Sequence, residues 1–190
     1  MSNQLKVHFQ HYPIIAAADD EHLREATLSR AGSLILMHLK VTEMLRSFPL
    51  RGAVHKKIFI HADLIHGLSG EKEALKFIKE TCRPDGIVTT KGNVIRAAQN
   101  EQLLTILRVF LIDTESMRTA IENIRRNKPD AVEIMPGIAP SAVGAFRRNI
   151  DQPIISAGLI HTKKQIEDAL QAGSDAVSLS KCVLWNYQRS

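Results

Sequence analysis

The sequence predicts an α/β protein in which eight strand–helix units close into one compact (β/α)8 TIM barrel with short loops. Short apolar runs begin about every 20 to 28 residues, a spacing typical of a repeated unit. A segment with helical spacing of apolar residues follows each run, and alternating strands and helices favour a parallel sheet. A length of 190 residues fits one barrel and no second domain, so we expect a single domain over residues 1–190. The alternative is an open doubly wound sheet, which would seldom need eight such even repeats.

The repeated unit is clearest near the end of the chain. An apolar run at residues 153–157 is broken by Gly158, and apolar or small residues then recur at helical spacing. Gly173 stands where a helix ends, and a second apolar run follows at residues 175–180. This order of strand, helix and strand predicts two consecutive parallel strands joined by a helical crossover.

The other strands are predicted from apolar runs that end at a polar residue, a proline or a glycine. No G-x-G-x-x-G sequence follows any of them, so there is no dinucleotide-binding signature. The predicted strands are PIIAAA (13–18), SLILMH (33–38), KIFIHADLI (57–65), GIVTTK (86–91), a part of LLTILRVFLID (103–113), DAVEIMPG (130–137), PIISA (153–157) and DAVSLS (175–180).

Helices are predicted between these strands from apolar spacing and from start and stop residues. Asn93 is a plausible cap for the helix that follows the fourth strand, and Gly32 is expected to close the first helix. The remaining predicted helices cover residues 41–52, 69–82, 115–126, about 140–149 and the segment before Gly173.

Composition and charge indicate an ordinary globular protein. The chain is 44% hydrophobic, and its formal net charge of +5 comes from scattered basic doublets. This excess permits a polyanionic partner, although the solvated faces of outer helices are the favoured explanation. The N-terminal sequence MSNQLKVHFQHYP lacks the apolar core of a signal peptide, which predicts a cytoplasmic location. Cys82 and Cys182 are isolated and lack metal-ligand spacing, so we expect both to be structural.

Polar residues gather where the predicted strands end, although the strands themselves are apolar. In (β/α)8 barrels the functional groups lie at the C-terminal ends of the strands, so this clustering predicts a ligand pocket at that face. The residues are Asp19, His38, Asp63, Lys91, Asp113, Glu133 with Pro136 and Gly137, Gly158, and Ser180 with Lys181. His38 and His66 have no identifiable partners in the sequence.

Lys91 has two chemical interpretations. A desolvated lysine at a strand end can form a Schiff base, whereas an ionised lysine can neutralise a phosphate or pair with Asp63 or Asp113. The neighbouring acidic residues favour the ionised role. His61 and Asp63, two residues apart, would share a strand face and could join Asp113 or Glu133 in a metal site. No tight ligand motif supports that alternative, and we expect no metal.

A phosphate-binding corner is predicted from the loops after the last three strands. Phosphate sites in this fold use backbone N–H groups in the loops after the seventh and eighth strands. Gly158 and Ser180 occupy those loops, and Gly137 ends the sixth strand. The alternative is that Gly158 only makes a tight turn, although the phosphate corner is the favoured interpretation.

Five ordered blocks of the sequence resemble the glycerol-3-phosphate-responsive antiterminator family. The resemblance extends from PIIAAADD to the LW pair near the C-terminus. The sequence departs from the family pattern at two places: Ala157-Gly158 stands where the family often has two glycines, and His66 stands where the family commonly has an acidic residue. The blocks are HADLIHGLSGEKEALKFI, PDGIVTTKGNVI, RVFLID, PDAVEIMPGIAP and QPIISAGLIHTKKQIEDALQAGSDAVSLSK.

The resemblance implies a regulator without enzymatic activity or cofactor. Such a protein senses glycerol 3-phosphate as its effector, binds the leader of glycerol-catabolism mRNA and allows transcription to pass a terminator. The family motifs map onto Asp63, Lys91, Glu133, Gly137, Gly158, Leu159 and Ser180, to which the acid Asp113 is added as a ligand-binding candidate. No RNA-recognition motif marks the RNA surface, and the sequence does not distinguish a monomer from a homodimer. The alternative function is an enzyme that acts on a small phosphorylated metabolite through Lys91 and the nearby carboxylates.

Overall fold

Eight parallel strands close into a barrel in chain order, which confirms the predicted (β/α)8 fold. The structure is a computed structural model that describes residues 2–42, 55–68 and 72–188. Each strand pairs with the next one along the chain, and the last pairs with the first. The strands are β1 Ile14–Ala18, β2 Ser33–Leu36, β3 Lys57–His61, β4 Gly86–Thr89, β5 Leu104–Phe110, β6 Ala131–Met135, β7 Ile154–Ala157 and β8 Ala176–Leu179.

The observed strands are shorter than the predicted ones, mainly at their C-terminal ends. The residues Ala62–Leu64, which were predicted as part of the third strand, form a 3-10 helix instead. His61 and Asp63 therefore do not share a strand face, and that expectation was wrong. The same shortening places the polar residues that follow β5 in a loop rather than at the strand end.

Helices pack around the strands with bounds close to those predicted. The first helix after β1 ends at Leu28 rather than near Gly32, and the helix opened by Pro140 ends at Arg147. Most of the helix predicted over 41–52 and the start of the one predicted from Ser69 lie outside the described residues. The described helices are Ser2–His11, Leu23–Leu28, Lys72–Cys82, Gly92–Asn100, Thr114–Asn127, Pro140–Arg147 and Lys163–Gln171, followed by a 3-10 helix at Cys182–Leu184.

The interior of the barrel is filled by every second residue of the strands. Ile15, Ile35, Phe59 and Ile155 belong to one buried cluster with residues from the other four strands. Within this cluster the strand register pairs Ile35 with Phe59 and Ile155 with Ala176. The helices bury their apolar faces against the outside of the same strands, which accounts for the nearly continuous apolar runs of the sequence.

An N-terminal helix, Ser2–His11, closes the end of the barrel where the strands begin. Leu5 and Phe9 are fully buried in the interior cluster, and His8 Nε2 lies 2.9 Å from the hydroxyl of Ser33 at the start of β2. The sequence analysis did not predict this helix. No helix among the described residues has both the length and the apolar character needed to cross a membrane.

Candidate functional site

A small cavity opens at the C-terminal end of the barrel, where the sequence placed a pocket. Its volume is about 130 Å³, and the ends of six strands contribute to its wall. Of the predicted site residues, Gly158, Leu159 and Ser180 line it. Typical pockets for drug-sized ligands are about 300–1,000 Å³, so this cavity suits a compact molecule.

The loops after β7 and β8 meet at one side of this cavity, and we call Gly158, Leu159 and Ser180 the β7–β8 corner. Gly158 and Leu159 both have left-handed backbone geometry, with φ of 79° and 61°. Neither of their N–H groups makes a turn or loop hydrogen bond in the part of the chain that the structure describes. Lys181 reaches across the corner, and its Nζ donates to the carbonyl oxygen of His161 at 3.2 Å. The corner therefore combines backbone donors and a cation, as an anion site requires.

Gly137 packs against the β7–β8 corner but does not offer its N–H group to a ligand. That N–H donates to the carbonyl oxygens of Ala157 at 2.5 Å and Gly158 at 3.1 Å. A Cβ atom at residue 137 would lie 2.8 Å from the backbone nitrogen of Ala157, so only glycine fits between these chain segments. The prediction of a phosphate donor at Gly137 is corrected to a packing role.

Three polar side chains, His61, Arg108 and Glu133, lie inside the barrel below the cavity, and we call them the interior polar cluster. Arg108 Nε donates to Glu133 Oε2 at 2.5 Å, and their exposed fractions are 8% and 0%. Arg108 also lines the cavity. Glu133 was predicted at a strand end, but it lies in the middle of β6 and faces the interior.

Several atoms of the interior polar cluster lack hydrogen-bond partners. Both ring nitrogens of His61 and Oε1 of Glu133 are buried without a partner among the described residues. A buried polar atom left unpaired costs about 1–3 kcal/mol, and most proteins avoid it. Such atoms beside Arg108, which lines the cavity, indicate a place where a ligand completes the hydrogen bonding.

His61 is held in its neutral form. Burial lowers its pKa from 6.5 to about 4, and the positive charge of Arg108 acts in the same direction. A neutral imidazole offers one hydrogen-bond donor and one acceptor.

Asp63 and Lys91 form a second group on the loops after β3 and β4. Asp63 accepts hydrogen bonds from the Thr89 hydroxyl at 2.8 Å and from the Thr90 N–H at 2.7 Å. Burial opposes ionisation of Asp63, but these bonds outweigh it and lower its pKa. Lys91 Nζ lies 3.9 Å from Asp63 Oδ1 with 60% of its side chain exposed, and it does not line the cavity. Lys91 also precedes the helix Gly92–Asn100 as its N-cap residue, a position that the sequence analysis gave to Asn93.

Asp113 lies outside both groups. Its carboxylate accepts a hydrogen bond from the Ser116 N–H at 2.7 Å and caps the helix Thr114–Asn127 in a reciprocal capping box. This bond lowers the pKa of Asp113. The role predicted for Asp113 in ligand binding is therefore corrected to helix capping. His38 and His66, for which no partner was identified, stack on each other with ring centroids 6.3 Å apart.

The metal site considered in the sequence analysis would use His61 and Asp63 with Asp113 or Glu133, and the structure does not bring these ligands together. Asp63 is held by Thr89 and Thr90, and Asp113 caps a helix. Within the described residues, the group of three side chains able to hold a metal is a different one, His22, Glu25 and Cys182, whose ligand atoms lie within 4.8 Å of one another.

A larger cavity of about 660 Å³ lies at the opposite end of the barrel. It is bounded by Phe9 and Tyr12 of the N-terminal segment and by Ser174 and Asp175 before β8. None of the predicted site residues lines it. Although this cavity is larger, we keep the candidate site at the C-terminal ends of the strands, because (β/α)8 barrels carry their functional groups there.

The sequence analysis left out Arg108 and did not assign ligand binding to Lys181. Arg108 interrupts the apolar run LLTILRVF, and a charged residue within a buried strand was a signal that could have found it. Lys181 was noted as a strand-end residue but not as a ligand-binding one. The sequence could not reveal the contact between Lys181 and His161, because these residues lie on two different loops, 20 residues apart in the chain.

Comparison with known families gives one extensive match. The model of a family described as glycerol-3-phosphate responsive antiterminator matches residues 14–185. This range includes all eight strands and both groups of polar residues described above. A protein of Escherichia coli (strain K12), the uncharacterised YgcP, is 29% identical over 174 residues, which is 91% of each chain.

Solved structures show the same relationship. The glycerol uptake operon antiterminator regulatory protein of Listeria monocytogenes is 30% identical, with a TM-score of 0.86 over 92% of this chain and 95% of its own. A glycerol uptake operon antiterminator-related protein of Thermotoga maritima is 27% identical, with a TM-score of 0.81 over 93% of this chain and 99% of its own. An aldolase with 12% identity and a TM-score of 0.70 shares the fold alone.

Proposed function

Because the chain belongs to the glycerol-3-phosphate responsive antiterminator family, we propose that it is a transcription regulator that senses glycerol 3-phosphate. In this proposal it binds the leader of glycerol-catabolism mRNA and promotes antitermination. The observation that carries the proposal is the family match over residues 14–185, which spans the whole barrel. The effector is its only small-molecule requirement, without a further cofactor.

The β7–β8 corner would bind the phosphate group. The N–H groups of Gly158 and Leu159 would donate to phosphate oxygens, and Lys181 would supply the positive charge. The cavity of about 130 Å³ suits a molecule as small as glycerol 3-phosphate. Asp63 and Lys91 would lie outside this contact, since the Asp63 carboxylate is already bound by Thr89 and Thr90 and the Lys91 side chain is 60% exposed.

A basic surface at the other end of the barrel would contact RNA, and we call Arg125, Arg126, Lys128 and Arg148 the basic end. Arg125 Nη2 donates to the carbonyl oxygen of Asn149 at 3.3 Å, which joins the ends of two neighbouring helices. All four basic residues are exposed, and they precede or follow these helix ends closely in the chain. Several other basic residues are used inside the protein: Lys56 donates to two carbonyl oxygens, Lys57 pairs with Asp85, and Arg147 pairs with Asp175.

The test measures the affinity for a labelled leader RNA with and without glycerol 3-phosphate at two salt concentrations. We expect the ligand to raise the affinity and salt to lower it, with a slope of about 0.7 for each single-strand phosphate contact. Replacing Arg126 and Arg148 together by alanine should weaken RNA binding and reduce the salt slope. The matched control is Lys163→Ala, which removes an exposed charge from a helix start near the cavity and should change neither value. A larger loss in the control would place the RNA at the cavity end.

The enzyme alternative depends on Lys91. A lysine that forms a Schiff base must be desolvated, and the Lys91 side chain is 60% exposed. Borohydride trapping with a carbonyl-containing phosphorylated metabolite tests this directly. Covalent labelling of Lys91, together with intact ligand binding and no RNA binding, would contradict the regulator proposal and support an enzyme.

A further inference from the structure

The interior polar cluster contains more hydrogen-bonding capacity than the protein uses. Glu133 Oε1 and both nitrogens of His61 are unpaired among the described residues, although these side chains are 0% and 3% exposed. The Arg108 guanidinium uses Nε for Glu133 and carries further N–H donors next to the cavity. The cluster thus offers a carboxylate acceptor, guanidinium donors and a neutral imidazole in one place.

Small side chains leave space directly above this cluster. Ala17, Ala157 and Ser178 line the cavity. They lie in register with the interior residues of neighbouring strands, such as Ile35, and therefore face into the barrel. In other barrels bulky branched residues commonly fill such layers. A chemical group that enters the cavity can therefore reach Arg108, the member of the cluster that lines it, and lies next to the Glu133 carboxylate that Arg108 binds.

The charges of the cluster select the kind of group that fits. A second anion, such as a phosphate or a carboxylate, would approach Arg108 but would be repelled by Glu133, which lies 2.5 Å from it. A cation would meet the opposite conflict. A hydroxyl group satisfies both residues, because it can donate to Glu133 Oε1 and accept from Arg108 or His61.

We infer that His61, Arg108 and Glu133 form a hydroxyl-binding subsite inside the barrel, so that the ligand enters with its polyol end first and leaves its phosphate at the β7–β8 corner. This inference rests on the proposed function, since it assigns the part of the same ligand that the corner does not bind. It also names the class of ligand: a compact phosphate monoester with free hydroxyl groups at the opposite end.

The test is the ratio of two affinities measured by calorimetry, one for glycerol 3-phosphate and one for propyl phosphate. Propyl phosphate keeps the phosphate and the three-carbon chain but lacks the hydroxyl groups, so it leaves the buried polar atoms unpaired. Sites built to bind a hydroxyl reject such analogues strongly, and we expect a preference of at least 100-fold for glycerol 3-phosphate in the wild-type protein. His61→Leu and Glu133→Gln should each reduce that preference at least tenfold.

Two variants at the other end of the barrel serve as matched controls. Asp130→Asn changes a buried carboxylate whose Oδ2 is fully used by the N–H and hydroxyl of Thr105, both at 2.9 Å. His8→Leu removes a partly buried histidine that is hydrogen-bonded to Ser33. Both variants should keep the wild-type affinity ratio whatever they do to stability.

Stability gives an independent readout. Because His61 has no partner to lose, His61→Leu should raise the urea concentration at the unfolding midpoint, whereas His8→Leu should lower it. A more stable variant with less ligand discrimination indicates a residue kept for binding rather than for folding.

The outcomes separate this inference from the proposed function. A wild-type affinity ratio near one, or an unchanged ratio in both His61→Leu and Glu133→Gln, would overturn the subsite even if glycerol 3-phosphate still controls RNA binding. A ratio that collapses in these variants, without any effect of ligand on RNA binding, would support the subsite and contradict the proposed regulator.

Discussion

Acid should destabilise this protein through His61, and His61→Leu should remove that part of the pH dependence. The side chain is 3% exposed, and burial together with Arg108 lowers its pKa to about 4 from 6.5. Between these two pH values the unfolded chain binds a proton that the folded protein does not. Stability therefore rises with pH across this range, and it is lost as the pH falls from 6.5 towards 4.

The size of the effect follows from the shift in pKa. One pKa unit corresponds to 1.36 kcal/mol, so a shift from 6.5 to about 4 makes a difference of about 3 kcal/mol between neutral and acid conditions. At pH 7 His61→Leu should already be more stable than the wild-type protein by about 1–3 kcal/mol, because an unpaired buried group is removed. At pH 4 the difference between the two proteins should be about 3 kcal/mol larger.

Urea denaturation followed by circular dichroism at pH 7.5, 6.5, 5.5 and 4.5 measures this difference directly. All other groups that titrate, including His8, whose pKa is also lowered by burial and by the charge of Lys57, are present in both proteins and cancel in the difference. Equal slopes of unfolding against denaturant would show that both proteins unfold to comparable states. Parallel curves of stability against pH would refute the reasoning, since they would mean that His61 titrates as it does in water and is not buried as a neutral group.

Three further predictions concern single contacts, and urea denaturation measures the stability term in each. Phe9→Ala should destabilise the protein by about 3–5 kcal/mol, because Phe9 is fully buried in the barrel interior. Gly158→Val should lower the free energy of unfolding by about 1–3 kcal/mol, since φ at residue 158 is 79° and a Cβ would lie 2.6 Å from Met135 Cε. The same substitution should weaken glycerol 3-phosphate binding, and unchanged affinity by calorimetry would contradict the placement of the phosphate. Glu133→Leu should lower the free energy of unfolding by about 3–5 kcal/mol, because it leaves Arg108 buried and unpaired. Adding Arg108→Met should recover most of that stability. Equal losses in the single and double variants would contradict a coupled pair.

The sequence contained enough information to predict the barrel because the repeated unit is a local pattern. Apolar runs and helical spacing recur along the chain, so strand order and the parallel sheet did not require any knowledge of long-range contacts. The N-terminal helix was missed although Leu5 and Phe9 have helical spacing, because only two buried residues mark it. One turn of apolar residues is a weak signal without the cavity that it fills.

The site was less predictable, because it depends on which side chains face each other across strands. Asp113 and Glu133 were placed at strand ends from the length of the apolar runs, and an error of two or three residues moves a side chain from the cavity to a loop or to the interior. Arg108 and Glu133 meet because β5 and β6 are paired with this register, which no local pattern reveals. Gly158 and Ser180 were placed at the cavity from general knowledge of this fold, and the structure shows both lining it.

The same register connects the ligand end of the barrel with the basic end. Arg108 lies on β5 and Glu133 on β6, and the chain between these strands is the helix Thr114–Asn127 with the loop that carries Lys128. A ligand hydroxyl that hydrogen-bonds to both Arg108 and Glu133 would act on the two strands that hold this helix and its basic end. Coupling between two binding sites typically amounts to 1–3 kcal/mol, or about 5- to 150-fold in affinity. A shift of that size requires two conformations of the protein that differ both at the cavity and at the basic end. The ligand would favour one conformation through the unpaired atoms of the interior polar cluster, because these atoms gain hydrogen bonds only when the ligand is bound.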